Sequence, residues 1–174
     1  MKTLILGGVR SGKSRLAERI ARESGRTVIY IATADASGDE AMAARIAAHR
    51  AHRPPEWRVV EEPRELARAL RRHDAPGHCL LVDCLTLWLT NLLTRGEDHL
   101  LERERDALLD LLPTLDGDIL LVSNETNLGV IPLGTLSRRF CDEAGLLHQA
   151  LASVCDRVIL TVAGLPHSLK GDPI

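Results

Sequence analysis

Residues 3–14 read Thr-Leu-Ile-Leu-Gly-Gly-Val-Arg-Ser-Gly-Lys-Ser. The first part of this stretch, Thr3–Leu6, is a short apolar run with the length of a buried strand. Gly7 to Ser14 then follow the pattern Gly-x-x-x-x-Gly-Lys-Ser, and the amphipathic segment Lys13–Glu23 comes next. A strand, a glycine-containing turn and a helix in this order are the context that a phosphate-binding loop, or P-loop, requires. The sequence therefore predicts a P-loop that binds a nucleoside triphosphate.

The residue types of this loop suit the binding of phosphate groups. Backbone N–H groups and the positive end of the following helix attract the phosphates. Lys13 is expected to reach the β and γ oxygens and to act in catalysis, and the Ser14 hydroxyl is expected to be a ligand of Mg²⁺. We predict that the whole loop binds nucleotide, namely Gly7, Gly8, Val9, Arg10, Ser11, Gly12, Lys13 and Ser14.

The remainder of the chain alternates short apolar runs with amphipathic segments. The runs have the β-branched content of buried parallel strands: Val28–Ala32, Cys79–Val82, Ile119–Val122 and Val158–Val162, with a short edge strand at Arg58–Val60. The segments between them have apolar residues at helical spacing: Asp39–His52, Pro63–Arg72, Leu100–Leu112 and Leu136–Val154. This alternation predicts an α/β fold of the P-loop NTPase type, a doubly wound and mostly parallel sheet with helices on both faces. Its 174 residues are expected to form one nucleotide-binding transferase domain, 1–174.

The composition limits which partners the protein can bind and in which cellular compartment it is expected. The formal net charge is −2 and the sequence pI is about 6.4, so a nucleic-acid-binding face is not expected. The longest apolar stretch, Leu80–Leu93, contains polar residues and is too short to span a bilayer. The four cysteines lack the Cys-x-x-Cys spacing and are interpreted as buried reduced thiols. We therefore expect a cytoplasmic protein without a membrane span.

Polar residues follow two of the predicted strands. Asp83 comes directly after Cys79–Val82, where a P-loop protein needs an acidic group to orient the metal ion and its water shell. The alternative is that Asp83 is a helix N-cap. Asn124 and Glu125 follow Ile119–Val122, on the edge of the sheet where ligands bind, and are expected to face substrate or metal. The alternative for these two residues is ordinary turn formation.

The predicted helix Asp39–His52 ends in a cationic cluster. His49 and His52 are one turn apart, and Arg45, Arg50 and Arg53 surround them. Such a cluster is suited to binding a triphosphate, and a neutral imidazole there is suited to attacking phosphorus. Two alternatives stay open: a solvated basic helix end and, with less support from the spacing, a zinc-binding pair.

Several motifs together resemble one family. They are the P-loop, Tyr30 to Ala34, Asp39-Glu40 with Arg45-Ile46 and His49, Arg53-Pro54, Trp57-Arg58, Asp83 to Thr86, Thr90 to Leu93 and Asn124-Glu125. In this order they resemble the bifunctional adenosylcobinamide kinase/adenosylcobinamide-phosphate guanylyltransferase of adenosylcobalamin synthesis. The resemblance extends over nearly the whole chain.

The resemblance implies a two-step reaction. Adenosylcobinamide would be phosphorylated by ATP or GTP, and GMP would then be transferred from GTP to give adenosyl-GDP-cobinamide and pyrophosphate. The family pattern implies that His49, in preference to His52, carries the GMP as a covalent intermediate. It implies metal binding by Ser14 and Asp83, and nucleotide contacts outside the P-loop at Ala32, Thr33, Ala34, Arg50, Ala51, His52, Arg53, Glu61 and Asp83. The implied partners are a corrinoid, nucleoside triphosphates, Mg²⁺ and further copies of the chain, as a trimer.

Two other functions are compatible with the residues. A P-loop phosphotransferase with only the kinase activity would keep Lys13 and Asp83 but would not need His49. A regulatory module would bind the triphosphate without transferring anything, although no exposed heptads or long insertions point to partner binding.

Overall fold

The computed structural model describes residues 1–35, 54–94 and 98–172. The strands are β1 Lys2–Gly7, β2 Thr27–Ala32, β3 Arg58–Glu61, β4 His78–Asp83, β5 Asp118–Asn124, β6 Arg157–Val162 and β7 Leu165–Lys170. The helices are α1 Lys13–Glu23, α2 Leu66–His73, α3 Leu85–Leu93, α4 Asp98–Leu111 and α5 Thr135–Val154, with a 3₁₀ turn at Leu112–Thr114. The predicted helix Asp39–His52 lies outside the described residues.

The strands form one sheet in the order β3-β2-β4-β5-β1-β6-β7. All neighbouring strands are parallel except β6 and β7. The carboxyl ends of the parallel strands therefore meet at one edge, which brings Gly7, Ala32, Asp83 and Asn124 to the same side of the molecule. Open α/β sheets bind their ligands at this edge.

Residues of β1 show how the sheet is buried on both faces. Leu4 and Leu6 belong to a core cluster that includes side chains of α2, α3, α4 and α5. Ile5, between them in the sequence, belongs to a second cluster with α1 and Trp57 on the opposite face. The two faces follow from the alternation of side chains along a strand. The predicted doubly wound, mostly parallel sheet with helices on both faces is confirmed.

Two elements were not predicted from the sequence. Helix α3 buries Leu85, Trp88 and Leu92 among others at helical spacing and leaves Thr86 and Thr90 partly exposed, but its sequence follows directly on the apolar run of β4. Strand β7 is mostly exposed and pairs antiparallel with β6 through a turn at Ala163 and Gly164, whose φ values are 52° and 81°. Two positive φ values fit a tight hairpin turn of type I′.

Two smaller sequence predictions need correction. Helix α2 begins at Leu66 and not at Pro63, because the Glu62 carboxylate accepts the backbone N–H groups of Arg64 and Glu65 at 3.0 and 2.8 Å and holds a turn there. All four cysteines are free thiols, but only two are buried; Cys84 and Cys141 are partly exposed.

Among the described helices, none has both the length and the apolar character that crossing a membrane requires.

Candidate nucleotide-binding site

The predicted P-loop closes between β1 and α1. The Ser11 N–H donates to the Gly8 carbonyl at 3.2 Å, and Gly12 is the N-cap of α1 with a φ of 96°. Arg10 also has a positive φ, of 56°. A Cβ on Gly7 would lie 2.6 Å from the Thr161 carbonyl oxygen, so only glycine fits there. The loop thus has the tight backbone path that a phosphate cradle needs.

The hairpin turn between β6 and β7 supports this loop from the side. The Gly164 N–H donates to the Ser11 carbonyl at 2.9 Å, and a Cβ on Gly12 would lie 3.2 Å from the Gly164 Cα. Sequence reasoning missed this contact. The Ala163-Gly164 pair directly after the apolar run Val158–Val162 is the signal that would have suggested a turn, although it would not have placed the turn on the P-loop.

We predict different effects for alanine at two glycines with positive φ. Gly12→Ala and Gly25→Ala should each lower the free energy of unfolding by about 1–2 kcal/mol, because both residues would hold a Cβ in a left-handed backbone. Only the Gly12 Cβ meets a neighbour, since nothing lies within 4 Å of a Cβ at Gly25. Gly12→Ala should therefore also weaken GTP binding about tenfold, or about 1.4 kcal/mol. Urea unfolding and GTP titration test both effects, and equal GTP affinities in the two variants would contradict this account of the loop.

Lys13 and Asp83 lie in a common electrostatic environment. The Lys13 ammonium donates to the Gly8 carbonyl at 3.0 Å. Partial burial lowers the pKa of Lys13 below its ordinary value, and the nearby Cys84 and Asp83 side chains oppose that shift. Asp83 is the last residue of β4, the second strand from β1, because β5 lies between β1 and β4. The structure therefore brings the P-loop lysine and the predicted metal ligand into one site.

Asp83 is not the N-cap of the following helix. The residue at the N-cap of α3 is Cys84, and no side chain caps that helix end. One oxygen of the Asp83 carboxylate instead accepts a hydrogen bond from the buried Tyr30 hydroxyl at 2.7 Å. The N-cap alternative is therefore wrong, and Tyr30 is a residue that orients the site and that sequence reasoning missed.

Strand β2 ends at Ala32, opposite Asp83, and Thr33 and Ala34 follow it. Thr33 is buried, and its hydroxyl donates to the Cys84 carbonyl at 2.6 Å and accepts the Cys84 N–H at 2.9 Å. The side chain thus holds the peptide that follows Asp83. Ala34 is partly exposed, and Glu61 lies opposite Ala32 at the end of β3. That these residues contact nucleotide stays a prediction.

Glu125 connects the loop after β5 to the P-loop. Its backbone N–H donates to the Gly7 carbonyl at 3.0 Å, and its carboxylate accepts the Asn127 N–H at 2.6 Å. The other carboxylate oxygen lies 3.9 Å from Nδ1 of His148 on α5, whose Nε2 is 2.8 Å from the Ser123 hydroxyl. Sequence reasoning did not identify this cluster of Ser123, Glu125 and His148. It links the loop to α5 at the carboxyl end of β5, the strand that pairs with β1.

The buried His148 should make stability fall in acid. Burial lowers its pKa below the ordinary 6.5, and Glu125 only partly opposes this shift. Below about pH 6.5 the unfolded chain therefore takes up a proton that the folded protein resists. Stability is lost as the pH falls from this value through the lower folded pKa.

This effect is measured by urea unfolding between about pH 7.5 and pH 5. His148→Gln should show a smaller loss of stability over that range than the wild type. His99→Gln, at an exposed position on α4, is the matched control. If the loss of stability in acid becomes smaller by the same amount in both variants, or in neither of them, the role of burial at His148 is contradicted.

The other predicted site residues lie outside the described part of the chain. These are His49, Arg50, Ala51, His52 and Arg53. Their roles as nucleophile and nucleotide contacts stay predictions, as do the two alternatives for the basic helix end.

The arrangement of the loop and the sheet is common to many nucleotide-binding proteins. A P-loop at the carboxyl edge of a mostly parallel sheet, with a lysine, a hydroxyl and a strand-end aspartate around it, is the arrangement of P-loop nucleotide-binding proteins. Residues 3–169 match the family described as cobinamide kinase/cobinamide phosphate guanyltransferase, and the chain belongs to this family. The resemblance inferred from the motifs is confirmed. Because this is a family of enzymes, the chain is assigned to an enzyme class and not to the non-catalytic modules.

Individual relatives agree with this assignment. The chain is 64% identical, over 174 residues and 100% of both chains, to the bifunctional adenosylcobalamin biosynthesis protein CobP of Pseudomonas aeruginosa. It is 35% identical to the bifunctional adenosylcobalamin biosynthesis protein CobU of Escherichia coli K12, covering 98% of this chain and 100% of the relative. A solved protein from Pyrococcus horikoshii OT3 has a TM-score of 0.60 at 10% identity, over 99% of this chain and 87% of that one, and shares the fold.

Proposed function

We propose that the chain phosphorylates adenosylcobinamide with a nucleoside triphosphate and then transfers GMP from GTP to the new phosphate. The observation that carries this proposal is the assembled P-loop, with Lys13 and Asp83 in one site, in a chain that belongs to the cobinamide kinase/guanyltransferase family. The products are adenosyl-GDP-cobinamide and pyrophosphate.

The first reaction uses the P-loop side of the site. The N–H groups of the loop and the α1 N-terminus hold the phosphates, and Lys13 exchanges its contact with the Gly8 carbonyl for oxygens of the transferred phosphoryl group. The substrate hydroxyl oxygen bonds to the γ-phosphorus as the bond to the β-phosphate oxygen breaks. The hydroxyl proton leaves to solvent or to a neighbouring base.

Mg²⁺ fits the residues present. It is commonly held by one or two protein oxygens together with substrate phosphates, and Ser14 and Asp83 supply one hydroxyl and one carboxylate. The Tyr30 hydroxyl fixes one oxygen of that carboxylate, as is typical of an oriented ligand. When bound by Ser14 and Asp83, Mg²⁺ would neutralise charge on the phosphates.

The second reaction proceeds through His49. A neutral ring nitrogen attacks the α-phosphorus of GTP, an N–P bond forms, and the bond to the β-phosphate breaks with release of pyrophosphate. A phosphate oxygen of adenosylcobinamide phosphate then attacks the same phosphorus, the N–P bond breaks, and His49 is free again. Arg50 and Arg53 on the same predicted helix would stabilise the charge on the phosphates.

The proposal extends to the setting of the enzyme. We place it in the cytoplasm, where its nucleotide substrates are found, and expect it to act as a homotrimer, in line with the family resemblance. ATP and GTP are both expected to serve as phosphoryl donors, whereas the GMP comes only from GTP.

Product analysis tests the function. Purified protein is incubated with adenosylcobinamide, Mg²⁺ and either ATP alone or ATP with GTP. The corrinoids are then separated, and their masses are measured by mass spectrometry. ATP alone should add one phosphate, and GTP should extend that product by GMP. A phosphorylated corrinoid that never gains GMP would support the enzyme with only the kinase activity, and an unchanged corrinoid would overturn the proposal.

A further inference from the structure

A cavity of about 410 Å³ lies beside the nucleotide site, between the end of α3, the loop after β5 and the start of α5. Its lining among the described residues consists of hydroxyl-bearing, thiol and apolar side chains, including Thr90, Leu93, Thr94, Thr126, Leu136 and Phe140. Neither Lys13 nor Asp83 is among them. The described part of the lining holds no cation, and such a surface is unsuited to a triphosphate.

The threonine hydroxyls make this cavity a set of hydrogen-bond acceptors. The Thr90 hydroxyl donates to the Thr86 carbonyl at 2.9 Å, and the Thr94 hydroxyl donates to the Thr90 carbonyl at 3.0 Å. The Thr126 hydroxyl donates to Oδ1 of Asn127 at 3.0 Å. Since all three protons are used within the protein, each oxygen presents lone pairs to a ligand. These acceptors suit a neutral ligand with N–H donors.

Both walls of the cavity lead to the nucleotide site. On α3, the Thr86 hydroxyl accepts the Asn124 N–H at 2.8 Å, and Thr90 comes one turn later, about 6 Å further along the helix. In the other wall, Thr126 follows Glu125, whose N–H donates to the Gly7 carbonyl. A ligand in the cavity could therefore extend a flexible arm to the phosphates.

An exposed apolar surface continues from the cavity. Four large apolar residues of the loop between β5 and α5 are 71–96% exposed: Leu128, Val130, Ile131 and Leu133. Leu136, which lines the cavity, is 54% exposed. Contiguous exposed apolar residues beside a site mark a surface that a ligand or partner covers.

We propose that the cavity and this loop bind the corrinoid substrate, an inference that rests on the proposed function. A corrinoid is a large ring with methyl groups and neutral acetamide and propionamide side chains, whose N–H groups match the threonine acceptors. The cavity takes one amide-bearing edge of the ring, and the apolar loop covers part of its periphery. The aminopropanol arm then extends along α3 to the P-loop, where its hydroxyl is phosphorylated.

The matched pair Leu136→Asp and Leu146→Asp tests this site. Both leucines are exposed on α5, at 54% and 56%, but only Leu136 lines the cavity. Equilibrium dialysis with adenosylcobinamide should show at least about a tenfold loss of affinity for Leu136→Asp, because a carboxylate then faces apolar ligand groups. Leu146→Asp should bind as the wild type does. Urea unfolding and GTP titration check that both variants are folded.

Thiol protection gives a second measurement that needs no substitution. Cys141 lines the cavity and is partly exposed, whereas Cys79 and Cys155 are buried and serve as internal references. Adenosylcobinamide should slow the alkylation of Cys141 several-fold, measured peptide by peptide, and GTP should not.

The outcomes separate this inference from the proposed function. If the wild type converts adenosylcobinamide while Leu136→Asp binds it normally and Cys141 is not protected, the cavity assignment is wrong and the function stands. If Leu136→Asp changes only the oligomeric mass, a second copy of the chain covers this surface and the assignment is again overturned. If the wild type neither binds nor converts the corrinoid, the proposed function itself fails.

Discussion

A Lys13→Ala variant is expected to phosphorylate adenosylcobinamide about 10²–10³ times more slowly than the wild type. Lys13 is the side-chain cation of the P-loop that lies in the same electrostatic environment as Asp83. Its loss would remove a cation that stabilises the charge developing on the transferred phosphoryl group. The effect should be mainly on kcat, because the backbone N–H groups of the loop still bind the phosphates.

Initial rates of adenosylcobinamide phosphate formation measure this loss. Arg15→Ala, which removes an exposed cation from the first turn of the same helix, is the matched control and should retain most of the activity. If the two variants lose activity to the same extent, the effect comes from general electrostatics, and the role given to Lys13 is wrong.

The second large effect is expected at His49. His49→Ala should lower the rate of GMP transfer by about 10³-fold or more, because the covalent intermediate cannot form without its nucleophile. Phosphorylation should continue, since the P-loop, Lys13 and Asp83 are unchanged. The variant should therefore accumulate adenosylcobinamide phosphate even with GTP in excess.

His52→Ala is the control, because His52 lies one turn further along the same predicted helix. It should keep GMP transfer within about tenfold of the wild type, a loss of no more than about 1.4 kcal/mol of transition-state stabilisation. If His52→Ala stops GMP transfer and His49→Ala does not, the nucleophile has been assigned to the wrong histidine. If neither variant is impaired, GMP transfer does not depend on a histidine of this helix.

Much of the fold could be predicted because parallel strands buried on both faces are continuous apolar runs. The runs at Thr3–Leu6 and Ile119–Val122 are strands β1 and β5 in the structure, each extended by a residue or more at its ends. Helix α3 was not predicted, although its buried residues recur at helical spacing, because it follows β4 directly and the two elements together form the single apolar stretch Leu80–Leu93. Strand β7 was not predicted because an exposed edge strand contains few apolar residues in a regular pattern.

Site residues could be predicted where the chemistry requires a particular residue type at a fixed position after a strand. The P-loop and Asp83 could be read from their spacing after strands, and the structure brings them together. Residues that act through tertiary contacts could not be read in this way. Nothing in the sequence indicates that the Tyr30 hydroxyl reaches Asp83, that Thr33 holds the Cys84 peptide, or that Gly164 contacts the P-loop, since these contacts depend on the order of strands in the sheet.

Labelling with GTP shows whether the protein forms the covalent GMP intermediate. Purified protein is incubated with Mg²⁺ and GTP carrying a radioactive α-phosphorus, without corrinoid, and is then separated by denaturing electrophoresis. The account predicts a covalent label that is acid-labile and alkali-stable, accompanied by release of pyrophosphate and absent from His49→Ala. A wild-type protein that binds GTP but takes no label would contradict the covalent transfer of GMP.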